Sequence, residues 1–257
     1  MRRYQRHLIA LCAALSVLGG AATAFADTYD NRIGREAWAA IAKVEYQNGI
    51  PLGLLHAMSL TETGMGQDGQ LLPWPYTVGI NRSPEREYAS LSGGRNELKR
   101  LAGLGFNKYD LTINGRRHTE ISRTMAELYL AGSNDVARVK IQGVNFAKRF
   151  NSKDQAVAYA KKMIAGGHDN LDLGLMQINW KVHGKKFRSV EDAFDMNRNL
   201  NYAVNYLREH RQTRDWWGSV GRYHSATPTY ARKYIRNVWN MYQRVHRLNK
   251  YSNKKTG

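Results

Sequence analysis

Pro51-Leu-Gly-Leu-Leu-His-Ala-Met-Ser-Leu-Thr-Glu62-Thr63-Gly64 is the stretch on which the reading of this chain turns. Proline suits a helix's first turn and glycine the position past its end, so the segment predicts one short helix. Its residues are mostly apolar, which predicts burial and places a single carboxylate, Glu62, at the C-terminal end. That end is the negative pole of the helix dipole, and apolar surroundings disfavour the charged form. Both raise a carboxyl pKa, as a general acid working near neutral pH requires. The same residue also reads as a surface glutamate at a helix end, and one glutamate alone does not separate the two.

Three segments further along narrow the choice. Leu173-Gly-Leu-Met-Gln-Ile-Asn179 is a tight apolar run with two side-chain amides, and Gly221-Arg-Tyr-His-Ser-Ala-Thr-Pro228 is a polar turn carrying a phenol. Between them lies Ala193-Phe-Asp-Met-Asn-Arg-Asn-Leu-Asn-Tyr-Ala-Val-Asn-Tyr-Leu207. In order and composition these blocks resemble the soluble, lysozyme-like family of lytic transglycosylases. That family shows Glu-Ser/Thr-Gly, then Gly-Leu-Met-Gln-Ile, then Tyr-Asn-Ala-Gly or Tyr-His-Ser-Gly, with Asn199 and Leu207 here in the expected places between. The resemblance covers residues of about 35 to 66 and about 170 to 240.

The resemblance implies a mostly α (α+β) fold, a lysozyme-like helical domain with a small β-hairpin and a large insertion. The expected divisions are a signal peptide at 1–26, the first part of the domain at 27–72, a hairpin-and-helix insertion at 73–168, the second part at 169–250 and a flexible tail at 251–257. Local patterns fill this in. Gly34 to Asn48 predicts an amphipathic helix with Trp38, Ile41, Ala42 and Tyr46 near helical spacing and Gly49 as its stop. Pro73-Trp-Pro-Tyr-Thr-Val-Gly-Ile80 predicts a loop entering a strand, with Val136 to Phe146 as the returning strand. Helices are expected at Ser152 to Ile164 with Ser152 as cap, at Asn199 to Glu209 and from Trp216 to Tyr223. A last helix would pack Tyr230, Tyr234, Val238, Met241, Tyr242, Val245 and Leu248 on the core. The stretch from about Asn81 to Asp135 holds glycines and helical patterns near Asn96 to Ala102 and Glu120 to Ala131; it reads as a lid, a partner surface or a tolerated insertion.

By the same resemblance the catalytic residue is Glu62. It would protonate the oxygen between N-acetylmuramic acid and N-acetylglucosamine, then draw the proton from the muramic acid 6-hydroxyl as that oxygen attacks the anomeric carbon. A 1,6-anhydro end results and no water is consumed; tethering replaces a bound nucleophile. Tyr223 would hydrogen-bond Glu62, Thr63 would support its backbone, and Met176, Gln177 and Asn179 would line the sugar cleft, Gln177 as a donor. Each also reads as a core or turn residue. Trp74, Trp216 and Trp217 read as sugar-stacking or core residues. No second acid falls in a matching motif; Asp68, Asp169 and Asp172 are near in sequence and read as loop or cap residues. His224 stands where Asn is common, a variant that also occurs in conjugation-type relatives, and Ala226 stands where glycine is usual; neither touches the acid. Relatives serving conjugation and pilus assembly carry a comparable Pro-Trp-Pro hairpin, which implies a partner in a conjugation, pilus or secretion apparatus.

Composition bounds the alternatives. Met1-Arg-Arg-Tyr-Gln-Arg-His7, the apolar Leu8 to Ala22 and Ala24-Phe25-Ala26 read as a cleavable export signal, hence a periplasmic location and a mature chain without a membrane span. The single cysteine, Cys12, falls in that leader, so no disulfide or cysteine metal site is expected. The formal charge is +18, and it stays strongly positive once Arg2, Arg3 and Arg6 leave. Thr229 to Gly257 carries eight Lys/Arg and no acid. Such charge suits a polyanion: wall polymer, membrane surface or nucleic acid. Nucleic acid is disfavoured by the export signal and the lack of a binding module. The eight histidines form no metal-binding spacing, and no phosphate loop or serine elbow occurs, so neither metal nor cofactor is expected. Peptidoglycan glycan strands are the expected partner. The readings kept beside a transglycosylase are a hydrolytic muramidase and a non-catalytic wall-binding assembly factor.

Overall fold

The computed structural model describes residues 30–67, 70–132 and 135–255; the leader, Cys12 and Asp68 lie outside the described residues. In chain order come α1 (Asn31–Asn48), α2 (Leu54–Thr63), β1 (Met65–Gln67), β2 (Gln70–Leu72), β3 (Thr77–Ile80) and β4 (Arg86–Ser90). They are followed by α3 (Leu91–Gly103), β5 (Lys108–Ile113), β6 (Arg116–Ser122), α4 (Arg123–Tyr129), β7 (Val136–Gly143), β8 (Phe146–Arg149) and α5 (Lys153–Ala165). The remainder is β9 (Leu171–Leu173), β10 (Ile178–Asn179), α6 (Trp180–His183), α7 (Val190–Ala193), α8 (Met196–Arg211), α9 (Trp216–His224) and α10 (Pro228–Lys255). The described residues fold as two compact units, residues 30–79 with 148–255, and residues 80–147.

In the first unit the core is helical. Ala37, Ile41, Val44, Leu54, Leu55, Met58, Leu175, Met176, Leu200, Val204, Leu207, Val220 and Val238 form one cluster. α2 is its centre. Leu54 to Leu60 are all buried, with Thr63 beyond them, so the helix is enclosed rather than amphipathic. Burying side chains such as Leu54, Leu55 and Met58 contributes about 1.5–3 kcal/mol each. Its first N–H groups are out of reach of water and need acceptors. Glu45, itself buried on α1, supplies them. Its carboxylate accepts from the N–H groups of Gly53 (2.8 Å), Leu55 (2.6 Å) and His56 (3.2 Å). The His56 ring spans Glu45 (3.1 Å) and the Trp38 carbonyl (3.1 Å).

This attachment turns α1. Its buried face is Gly34, Ala37, Ile41, Val44 and Glu45, whereas Ala42 is exposed and Tyr46 is 83% exposed. The apolar spacing through Ala42 and Tyr46 therefore named the wrong edge of the helix, because an acidic residue holds the inward position. The stop at Gly49 is as expected, with φ of +59°. α5 begins at the expected Ser152 cap, whose hydroxyl accepts from Gln155 N–H. α10 continues to Lys255, so the tail expected from Tyr251 is helical up to that residue.

A four-stranded sheet, ordered β10-β9-β3-β8, flanks these helices. β9 and β10 form a hairpin that pairs Leu173 with Ile178 and Asp172 with Asn179. The return strand expected opposite β3 is not Val136 to Phe146. β7 pairs instead with β4 and β5, and the neighbours of β3 are β8 and β9. The alternation of β7, with Ala137, Val139 and Ile141 inward, buries one face in residues 80–147. That second unit has an antiparallel sheet ordered β4-β7-β5-β6, with α3 and α4 capped by Ser90 and Ser122. Leu98, Leu101, Tyr109, Leu111, Leu130, Val139 and Ile141 are buried there, so this stretch is a folded α+β unit with its own core. Among the described residues no helix is long and apolar enough to cross a membrane. The whole fits a mostly helical α+β, lysozyme-like fold.

Glu45→Ala strands three buried N–H groups and the His56 ring at once. It should lower unfolding stability by about 3–5 kcal/mol in urea titrations. Arg123→Ala, which breaks an exposed pair with Glu127, should cost less than about 0.5 kcal/mol.

Candidate active site

The buried α2 ends in Glu62 and Thr63, and the chain must leave the helix there. A Cβ at Gly64 would fall 2.3 Å from the Leu60 carbonyl oxygen, so glycine is required. Thr63 is fully buried; its hydroxyl donates to Ser59 carbonyl (3.0 Å) and accepts from Trp74 N–H (3.1 Å). Thr63 thus fixes the backbone that carries Glu62. The Ser59 hydroxyl donates to the Leu175 carbonyl (3.1 Å), tying α2 to the segment Gly174 to Gln177.

That segment is pinned from behind by Asn199 of α8. The Asn199 amide donates to the carbonyls of Leu173 (3.0 Å) and Ala193 (2.9 Å) and accepts from Met176 N–H (2.8 Å). Met176 is buried, and its carbonyl takes the hydroxyl hydrogen of Tyr223 at 2.7 Å. In this structure the Tyr223 hydroxyl gives its hydrogen to the Met176 carbonyl rather than to the expected Glu62. Tyr223 still feels Glu62: burial first, then the Glu62 charge, push its phenol well above the ordinary range.

The hydroxyl coupled to Glu62 belongs to Tyr234 of α10. Tyr234 is 4% exposed, and no hydrogen bond of ordinary length closes on its buried hydroxyl. It nonetheless lies close enough to the Glu62 carboxyl to favour the ionised form, partly offsetting burial. The His224 ring stacks on Tyr234, centroids 4.3 Å apart and planes 5° from parallel. His224 thus steadies the tyrosine from the side. Sequence spacing placed Tyr234 only on a core-facing helical stripe, and nothing local distinguishes it from Tyr230 or Tyr242.

Glu62 itself is half-buried, and its pKa rises from 4.5 to about 7. Withdrawal from water is the largest cause, and the negative charge of Asp172 adds to it. The carboxyl is thus poised to give up a proton near neutral pH.

The remaining sequence candidates sort differently. Gln177 sits at φ +47° and donates both amide hydrogens to the chain, at the Thr77 (3.2 Å) and Gly174 (2.8 Å) carbonyls. Its oxygen faces Gly79 of β3, where a Cβ would fall 2.6 Å from it. Asn179 gives its hydrogens to Asn170 (3.0 Å) and Asp172 (2.8 Å) and caps α6 through Val182 N–H (3.1 Å). Asp169 is an exposed loop acid 3.6 Å from Lys181. Trp74 is fully buried with its indole N–H on the Phe150 carbonyl at 2.8 Å, which excludes sugar stacking. Trp216 lies under Arg211, and Trp217 meets Trp239 and Tyr242 edge-on. Among the described residues no group of three His, Cys, Asp or Glu side chains could hold a metal.

The raised pKa has a stability consequence with a definite sign. The unfolded chain titrates Glu62 near 4.5 and the folded chain near 7, so the folded state holds the extra proton in between. Stability is lost as pH rises through that window. Glu62→Gln should leave stability unchanged at pH 4 and raise it by about 1–3 kcal/mol at pH 8, read by urea unfolding.

Comparison with known protein families gives a match over part of the chain. No curated protein and no solved structure matches the chain. Residues 145–243 match the family model of the transglycosylase SLT domain, a stretch that includes Met176, Gln177, Asn179, Tyr223 and Tyr234 and begins after Glu62 and Thr63. That match supports a soluble lytic transglycosylase family and a peptidoglycan substrate.

Proposed function

We propose that this chain is a periplasmic peptidoglycan lytic transglycosylase that cleaves the β-1,4 bond between N-acetylmuramic acid and N-acetylglucosamine. The observation that carries the reading is Glu62, a carboxyl raised to about 7 at the end of a buried helix, beside the buried Tyr234 and the partly buried Tyr223. The matched SLT stretch supplies the substrate class. Protonated Glu62 gives its hydrogen to the bridging oxygen, and the bond from that oxygen to the anomeric carbon breaks. The resulting carboxylate then takes the hydrogen of the muramoyl 6-hydroxyl, whose oxygen closes on the anomeric carbon. Glu62 ends protonated, as it began, and water enters nowhere. One carboxyl near 7 suits both halves, because it gives and takes a proton at similar free energy.

Export by the N-terminal leader and local wall opening for a conjugation, pilus or secretion machine belong to the same proposal. The sequence features behind them are the Ala24-Phe25-Ala26 site, the Pro73-Trp74-Pro75 segment and the Tyr223-His224-Ser225 variant.

Mass spectrometry of products released from purified peptidoglycan tests the chemistry. Wild type should yield 1,6-anhydro ends and Glu62→Gln should lose about 10³-fold or more in turnover. Reducing ends from the wild type would replace this reading by a muramidase, and no release by either protein would leave a wall-binding factor. Because the acid must start protonated, kcat/KM should fall as pH rises through about 7. A rate that stays level from pH 6 to pH 9 would contradict Glu62 as the acid.

A further inference from the structure

The outer face of α10 takes no part in the Glu62 site, and it is basic. From Thr229 to Gly257 the chain carries no Asp or Glu. Tyr234, Val238 and Val245 are buried on the core side of the helix. At about 100° per residue, Trp239, Arg232, Gln243, Arg236 and Arg247 fall within one arc of about 80° on the other side. All five are exposed. Arginines elsewhere meet carboxylates, as Arg82 does Asp110 (2.6 Å), Arg100 does Glu97 (2.6 Å) and Arg188 does Asp192 (2.8 Å). Among the described residues Arg232, Arg236 and Arg247 meet none. Trp239, a large apolar ring, is 44% exposed in their midst. Trp217 of α9 meets it edge-on at 4.8 Å and Tyr242 stacks on it at 6.0 Å, so the ring is held in place at the surface.

We infer that this face of α10 docks on an anionic lipid surface, with Arg232, Arg236 and Arg247 toward headgroup phosphates and Trp239 at the interface. Charge complementarity is the first ground: guanidiniums without a carboxylate partner suit phosphate, which they pair as a fork. The exposed indole is the second. Its ring is apolar and its N–H polar, a combination that settles between headgroups and acyl chains. The third is the arrangement. Arg232 and Arg247 stand about 22 Å apart along the helix axis, in one row that a plane meets all at once. A nucleic acid or glycan strand is held instead in a groove. The helix lies on the surface and does not cross it, as no described helix is long and apolar enough to span a bilayer. Docking does not depend on the chemistry at Glu62, so it stands or falls apart from the transglycosylase reading.

Co-sedimentation with phospholipid vesicles tests this on the chain from Asp27 onward, which keeps every described residue and omits the apolar leader. Vesicles of equal parts phosphatidylcholine and phosphatidylglycerol should bind it about 100-fold more tightly than phosphatidylcholine alone, and raised salt should weaken that binding steeply. Arg232→Gln, Arg236→Gln and Arg247→Gln combined should weaken it about 100-fold, since each basic residue near such a surface contributes about fivefold. All three side chains are exposed, so thermal unfolding should not move. Trp239→Phe should remove most of the quenching of tryptophan fluorescence by brominated lipid. Vesicle binding that ignores phosphatidylglycerol, or that survives the triple replacement, would overturn the inference. So would vesicle binding that is absent while the triple replacement abolishes binding to lipid-free peptidoglycan or to duplex DNA, which would assign the face to a polymer.

Discussion

A helix enclosed along nearly its whole length begins with N–H groups that water cannot reach, and in this protein the Glu45 carboxylate takes three of them. Everything in the first unit follows from that constraint. α2 can be apolar on all sides only because its polar start is satisfied from α1. α1 in turn shows Glu45 rather than Tyr46 to the core, and His56 links the carboxylate to the Trp38 carbonyl. One buried acid is thereby well supplied with donors. The result is a rigid rod whose far end carries a second acid, Glu62.

That far end is organised in the opposite way. Glu45 accepts from three N–H groups, whereas Glu62 has burial, the Asp172 charge and one phenol that does not close on it. The same residue type accepts three N–H groups at one end of the helix and is pushed toward its neutral form at the other. Strain of this kind is retained where it serves chemistry, and the cost in stability is carried by the core that Glu45 completes. Thr63 and Gly64 transmit the rigidity of α2 to the acid, and Asn199 does the same for the backbone of Met176. Tyr223, by bonding to the Met176 carbonyl, fastens the third segment to the second. The blocks that stand apart in sequence are thus joined through backbone carbonyls more than through one another's side chains.

Legibility from sequence followed the range of the interactions involved. α2, the Ser152 cap of α5 and the Gly49 stop were readable because caps and helical spacing are local. The pairing of β7 was not, because a strand's partners are chosen by residues dozens of positions away, and Val136 to Phe146 suits either sheet. Strands β4, β5 and β6 were hidden for the same reason, within a stretch legible only as an insertion. At the site, Glu62 stood out by its apolar approach and Gly64. Tyr234 did not, since a tyrosine facing the core and one facing a carboxyl leave the same helical spacing. Asn179 and Gln177 were found by motif, yet their hydrogen bonds run to Asp172, Asn170 and the backbone, which only the folded hairpin reveals.

The central claim is that folding alone keeps Glu62 protonated near neutral pH, before any sugar binds. Carbon-13 carboxyl NMR of the Glu-labelled protein, titrated with pH and assigned by the signal missing in Glu62→Gln, tests it most directly. A Glu62 midpoint near 7 is the expected result. A midpoint near 4.5, the value of an ordinary glutamate, would show that burial does not tune the acid and would contradict the claim.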